Sequence, residues 1–299
     1  MQSFREILQT SRSRGPKGIA VAAAADAEVL LALAAAKAEG LVEPILIGDE
    51  KEIRKTAEQV GYSLENDRII AARDKASAAR AAVQEVASGR AELLMKGLIN
   101  TADLLRAVLD KEAGLRTGRL LSHVSVVEPA GYGRLMLITD GGINIAPTLE
   151  EKVDITVNAV GVAHALGIAK PKVAILAALE QVNPKMPAAV DAAALSQMSR
   201  RGQIPGAIVD GPLALDNAIN KEAAVHKGID SPVAGEADIL LAPNIEAGNI
   251  LHKALVYFAN VKAAGLVVGA RAPIVVTSRA ETHETKLHSI ALAALVAAR

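Results

Sequence analysis

The stretch TSRAETHETK, residues 277–286, sets hydroxyls, an arginine, two glutamates, a histidine and a lysine directly after the apolar run APIVV. Ser278 and Arg279 stand where a strand pattern ends and a helix pattern begins. At such a turn a guanidinium can hold a phosphate through its planar fork of donors, and a hydroxyl can donate to or accept from a reacting atom. The same pair also has a purely structural reading, in which Ser278 caps the last helix and Arg279 pairs with Glu281.

A second turn of this kind lies in LLMKGLINTADLLRAVL. Lys96 and Gly97 end a strand, Asn100 or Thr101 caps a helix, and backbone N–H groups at that helix start can receive an anion. Asp103 in the first turn suits the helix dipole without any ligand. In ITDGGINIAPTLEEKVDI, Asp140, Gly141 and Gly142 read as a sharp turn leaving a strand, with Asn144 facing a ligand. Thr148 and Glu151 form a capping box there, and Glu150 and Glu151 make that helix start a poor phosphate site. Asp210–Gly211–Pro212 in VDGPLALDNAI repeats the turn theme. In LAPNIEAGNILHKAL, Gly248 and Asn249 fall in the first turn of a helix, where a missing Cβ permits close approach of a ligand or another backbone, and Lys253 follows one turn on. Tight helix packing explains that glycine equally well.

These turns need a scaffold, and the hydrophobic pattern supplies one. GIAVAAA precedes a helix from about Ala27 to Glu39, PILIG one over 50–60, RIIAA one over 75–88 and ELLMKG one over 102–111. This alternation predicts a largely parallel sheet covered on both faces. HVSVVEPAGYGRLMLITD breaks it with two apolar runs joined through Pro129, Gly131 and Gly133, an antiparallel hairpin. Strands then recur near 172–178, 206–210, 238–241, 265–269 and 273–277, each separated by a helix except the last two. The expected organisation is therefore α/β with two domains: residues 1–138 and 270–299 as the first, 139–269 as the second. Ligands are expected in a cleft between them, at carboxyl ends of strands.

Composition narrows the chemistry further. Lys plus Arg and Asp plus Glu both total 33, so no bulk attraction to a polyanion or acidic membrane surface exists, and any anion must be met locally. With only three Tyr, two Phe and no Trp, there are few stacking platforms for single-stranded nucleic acid. The absence of cysteine excludes disulfides, thiolate metal sites and a cysteine nucleophile, and makes a cytoplasmic protein the simplest reading. No apolar segment has the character of a signal peptide or membrane span, since Asp26 and Glu28 interrupt the one long apolar run. Dinucleotide, P-loop, serine-hydrolase and zinc-protease signatures are all missing. His283 and His288 are five residues apart and face different sides of a helix, and His123, His164, His226 and His252 have no ligand spacing, so no metal is implied.

Taken in order, LLMKGLINTADLLRAVL, ITDGGINIAPTLEEKVDI, VDGPLALDNAI, ADILLAPNIEAGNILHKAL and PIVVTSRAETHETK resemble the phosphate acetyltransferase and phosphate butyryltransferase family, from about residue 15 to the end. The spellings MKG, LSHVSVVE and SRAETHETK look more like the butyryltransferase branch. The resemblance implies an isocitrate/isopropylmalate dehydrogenase-like fold, a homodimer, and acyl transfer between coenzyme A and inorganic phosphate, with both as substrates and no permanently bound cofactor. It raises Ser278 and Arg279 above the capping explanation. The acetyl branch carries an aspartate as base, and Thr285 stands at that place here, so the resemblance turns to Glu284 next to it, with Glu281 as the alternative. Lys286 and Arg119 become candidate phosphate contacts, because a dianion taken out of water needs more than one positive partner. Two other readings stay open at this point: an NAD-dependent dehydrogenase of similar fold, and a CoA-binding regulator without catalysis.

Overall fold

The computed structural model describes residues 1–278 and 281–297. The chain divides into two compact units, Phe4–Arg119 with Ala264–Arg299, and Met1–Ser3 with Leu120–Ala263.

The first unit opens with α1 (Phe4–Ser13), then β1 (Lys17–Ala22), α2 (Ala27–Ala38), β2 (Val42–Gly48), α3 (Glu50–Val60), β3 (Arg68–Ala71), α4 (Lys75–Ala87), β4 (Leu93–Lys96) and α5 (Thr101–Val108). The chain returns to it through β10 (Lys262–Val268), β11 (Ile274–Val275) and α11 (His283–Ala297). Its strands run in the order β3-β2-β1-β4-β11-β10, parallel except where β10 meets β11. The near-continuous apolar spelling of β1, β2 and β4 has the expected cause: Ile19, Val21, Leu46, Ile47, Leu93, Leu94 and Met95 are fully buried, as strands covered on both faces must be. Alanine lets the helices come close, and Ala20, Ala22, Ala32 and Ala36 have no exposed surface. α2 and α4 begin at Asp26 and Asp74, each accepting from the third helical N–H. α1 has no counterpart among the sequence-derived elements. It packs on α11, with Phe4 stacked on His288 at 4.4 Å between ring centres and the Ser11 hydroxyl donating to the Ala291 carbonyl.

The second unit holds the hairpin β5 (Ser122–Glu128) and β6 (Met136–Thr139), followed by α6 (Leu149–Ala165), β7 (Lys172–Leu176), α7 (Pro187–Arg200), β8 (Ile208–Leu213), α8 (Leu215–Ile219), α9 (Lys221–His226), β9 (Ile239–Leu241) and α10 (Ile245–Tyr257). The strand order is β5-β6-β9-β7-β8, antiparallel within the hairpin and parallel elsewhere. The hairpin lies wholly in this unit because β6 pairs with β9, Leu137 opposite Ile239. The unit therefore starts at 120, ahead of the boundary expected near 139, and ends at 263 rather than near 270. Asp210–Gly211–Pro212 is not a turn but part of β8, and the edge position of that strand explains how Pro212 is accommodated. The capping box forms as expected: Thr148 accepts from the Glu151 N–H, and the Glu151 carboxylate accepts from the Thr148 N–H.

Candidate active site

Within the first unit, β11 lies parallel to β4, with Ile274 opposite Leu94 and Val275 opposite Met95. The register carries forward, so Lys96–Gly97 and Thr277–Ser278 leave neighbouring strands at one edge of the sheet. Two stretches that are about 180 residues apart in sequence, a span the strand connectivity alone sets, thus supply adjacent loops. Arg279 lies outside the described residues.

Each loop has a physical reason for its shape. Gly97 donates to the Ala22 carbonyl at 2.9 Å, and a Cβ at this position would stand 2.2 Å from the Ala23 carbonyl oxygen, so only glycine lets β1 and the loop pass. Lys96 is buried, and its ammonium lies 3.4 Å from the carbonyls of both Gly97 and Ile99. Asn100 occupies the N-cap of α5 in extended conformation, yet its side chain does not accept from the helix's N–H groups, so the capping explanation is not what that amide does here. Thr101 is the first helical residue and half-buried.

Ser278 is exposed and stands five residues before α11, too early to cap it. Thr282 takes that role, its hydroxyl accepting from the Thr285 N–H at 3.4 Å. The sequence places the helix start earlier because AETHETK is spelled like a helix; the turn in which Glu281 N–H donates to the Ser278 carbonyl at 3.2 Å holds it back. Glu284 is exposed in the first turn of α11. Lys286 is the opposite, 2 % exposed, with its ammonium donating to the carbonyls of Ser278 at 3.2 Å and Glu281 at 2.6 Å. Arg119 is exposed in the loop that ends this unit's first segment, its backbone N–H donating to the Thr117 hydroxyl. Beside the same sheet edge a cavity of about 410 Å³ is lined by Ala23, Gly48, Ala72 and Leu98 together with the charged Asp49 and Arg73.

Within the second unit, the loop after β6 is organised by Asp140. This carboxylate, 2 % exposed, accepts from the N–H groups of Gly142, Ile143 and Asn144 and from the Asn144 side chain at 2.7 Å. The Asn144 amide also donates to the Leu121 carbonyl at 2.8 Å, so both loop neighbours consume its donors and only its oxygen faces elsewhere. Gly248 brings the start of α10 against this loop: a Cβ there would stand 2.7 Å from the Asp140 carbonyl oxygen. Asn249 completes the contact, donating to the Gly141 carbonyl at 2.9 Å. The close approach that a glycine at 248 permits is therefore backbone on backbone. Lys253 is exposed one turn further along α10.

Sequence spacing did not single out the group beneath this loop. The Ser125 hydroxyl and His252 Nδ1 share a hydrogen bond of 2.8 Å, and the His123 ring lies under Gly142 with its Nδ1 shut from solvent and without a partner among the described residues. Burial, reinforced by the nearby His123 and Lys253, pushes His252 down to about 4. Burial lowers His123 as well, against the pull of Asp140. Burial thus favours the neutral form of both rings. Nothing in the spelling joined Ser125 to a helix residue 127 positions later.

No group of three or more His, Cys, Asp or Glu suited to a metal ion is found among the described residues. The first unit thus defines an α/β scaffold whose loops at carboxyl strand ends carry buried lysines, a hydroxyl and a helix start whose N-cap side chain makes no capping bond, an edge suited to anionic substrates.

The comparisons with known proteins agree with that chemistry. Residues 70–294 match the family model described as phosphate acetyl/butaryl transferase. Phosphate butyryltransferase of Clostridium acetobutylicum is 52% identical over 297 residues, 99% of this chain and 99% of that protein. Phosphate acetyltransferase of Thermotoga maritima is 48% identical over 98% of this chain and 99% of that protein. The crystal structure of a branched-chain phosphotransacylase from Enterococcus faecalis V583 superposes with a TM-score of 0.82 at 36% identity, covering 94% of this chain and 99% of that one. The chain belongs to the phosphate acetyl/butyryl transferase family, a family of acyltransferases, and has the dehydrogenase-like α/β fold of the phosphotransacylases.

Proposed function

We propose that this chain catalyses reversible acyl transfer, acyl-CoA plus phosphate giving acyl phosphate plus CoA, with butyryl-CoA or another short-chain acyl-CoA as donor. A phosphate oxygen attacks the thioester carbonyl, the carbonyl oxygen gains negative charge, the C–S bond breaks, and the departing thiolate takes up a proton. Phosphate, oxyanion and thiolate all ask for donors and positive charge at one place. The observation that carries the reading is the adjacency of β4 and β11, which lets the Lys96–Thr101 loop and the Ser278 loop serve the same anionic centre. In this reading Ser278 and Arg279 stabilise the oxyanion, Lys96, Asn100 and Thr101 receive phosphate together with Arg119, and Glu284 exchanges the thiol proton. In the second unit, Asn144, Gly248, Asn249 and Lys253 are the substrate-binding candidates. No cofactor takes part, and the enzyme works in the cytoplasm.

The dehydrogenase reading is not favoured by relatives about half identical over the whole chain, all of them acyltransferases. A thiol-release assay with butyryl-CoA tests the proposal: release that requires inorganic phosphate is the expected result. Failure to release thiol with any chain length from acetyl to hexanoyl would overturn it.

We infer further that the enzyme is a homodimer joined through α10. Of thirteen residues in this helix only Gly248 is buried. Ile250 is 68% exposed, Tyr257 65% and Phe258, at the helix end, 93%. A chain with five aromatic residues in all leaves two of them side by side in water, which supports an apolar partner surface, and a second copy presents the same one.

A further inference from the structure

We propose that Lys286 is a positioning residue, whose buried ammonium pins the turn after β11 from below and so sets where the Ser278 hydroxyl stands; this rests on the acyl-transfer reading. Its two acceptors, the carbonyls of Ser278 and Glu281, lie on either side of residues 279 and 280, the ends of the segment that carries Arg279. The platform beneath is rigid. α11 buries Ile290, Leu292 and Leu295 completely and packs on α1 and α2, so the Lys286 backbone is fixed by the core of the unit. Its own N–H is committed to the Thr282 carbonyl at 3.1 Å.

Chemistry argues that charge, rather than bulk, is the purpose. An ammonium withdrawn from water is costly unless paired, and a Met or Leu would fill the same space without that cost. The partners of this ammonium among the described residues are the backbone carbonyls of Ser278 and Glu281. A turn with two carbonyls aimed inward at a cation cannot relax outward without leaving that cation unpaired. The ammonium therefore works on the loop and not on the substrate, which differs from the direct phosphate contact implied by family resemblance.

The two roles separate in kinetics. In Lys286→Met we expect kcat to fall at least tenfold while KM for phosphate and for butyryl-CoA stays within about threefold, with Lys286→Gln, whose amide still donates, recovering part of the loss. Hydrogen exchange of the peptide spanning 278–285 is expected to accelerate at least tenfold in Lys286→Met, with the remainder of α11 unchanged. A rise in phosphate KM with kcat retained would assign Lys286 to the substrate instead and overturn the proposal. Unchanged exchange in 278–285 would overturn it too. Exchange is read without catalysis, so inactivity of the unaltered enzyme would sink the acyl-transfer reading while the pin was still decided. If Lys286→Met does not fold, Lys286→Gln carries both measurements.

Discussion

At the scale of single residues, the proposed chemistry concentrates on groups that give different signals. Arg279→Ala should lower kcat/KM at least tenfold, a loss of about 1.4 kcal/mol in transition-state stabilisation, and unchanged kinetics would remove the guanidinium from the mechanism. The two imidazoles beneath the Asp140 loop make a separate prediction about pH. His252 is held near 4 in the folded protein and rises to about 6.5 when unfolded, so below about pH 6.5 the unfolded chain binds a proton that the folded chain refuses. Stability is thus complete above that pH and declines as pH falls toward the folded value. Urea unfolding should show a loss on the order of 2 kcal/mol between about pH 7.5 and about pH 5, and His252→Gln should flatten this slope. His123 acts in the same direction, since its burial also favours the neutral ring. Sequence spacing gave His123 no ligand partner, and the placement of its ring under Gly142 is a matter of three dimensions.

At the scale of elements, the helix starts and strand ends separate what is local from what is not. The Thr148 capping box needs only four consecutive residues, which is why it was legible: both of its hydrogen bonds are closed by neighbours in sequence. Thr148→Ala should cost about 1 kcal/mol, measured as a lower urea midpoint with activity per folded molecule unchanged. Gly97 is a different case. Its lack of a side chain matters because Ala23, just past the end of β1 and more than seventy residues upstream by their numbers, presses its carbonyl against the loop. Gly97→Ala should cost about 1–3 kcal/mol and displace the Lys96–Thr101 loop, so activity should fall along with stability. The start of α11 shows the reverse error. Glu281 and Thr282, helical by spelling, stay ahead of α11, which begins only at His283, and the Lys286 ammonium holds the Ser278 and Glu281 carbonyls there, a contact that no propensity encodes.

At the scale of the whole molecule, the apolar end of α10 makes the sharpest claim. Phe258→Glu combined with Tyr257→Glu should convert the enzyme to a monomer in light scattering while leaving its secondary structure intact by circular dichroism; a wild-type monomer would end the dimer inference. Much of the molecule's plan was readable from its letters. Apolar runs of strand length between stretches of helical period dictate a parallel α/β architecture, because a strand covered on both faces has no use for alternation and a helix must bury one stripe. The turn residues at 129–133 dictated the hairpin for equally local reasons. Tertiary structure alone decided that β11 lies beside β4, that the hairpin joins β9, and that Lys286 turns under its own loop and not toward solvent. The strand outcomes depend on which strand finds which neighbour, and pairing energy is shared across residues about 100 to 180 positions apart, where no short window of sequence can register it.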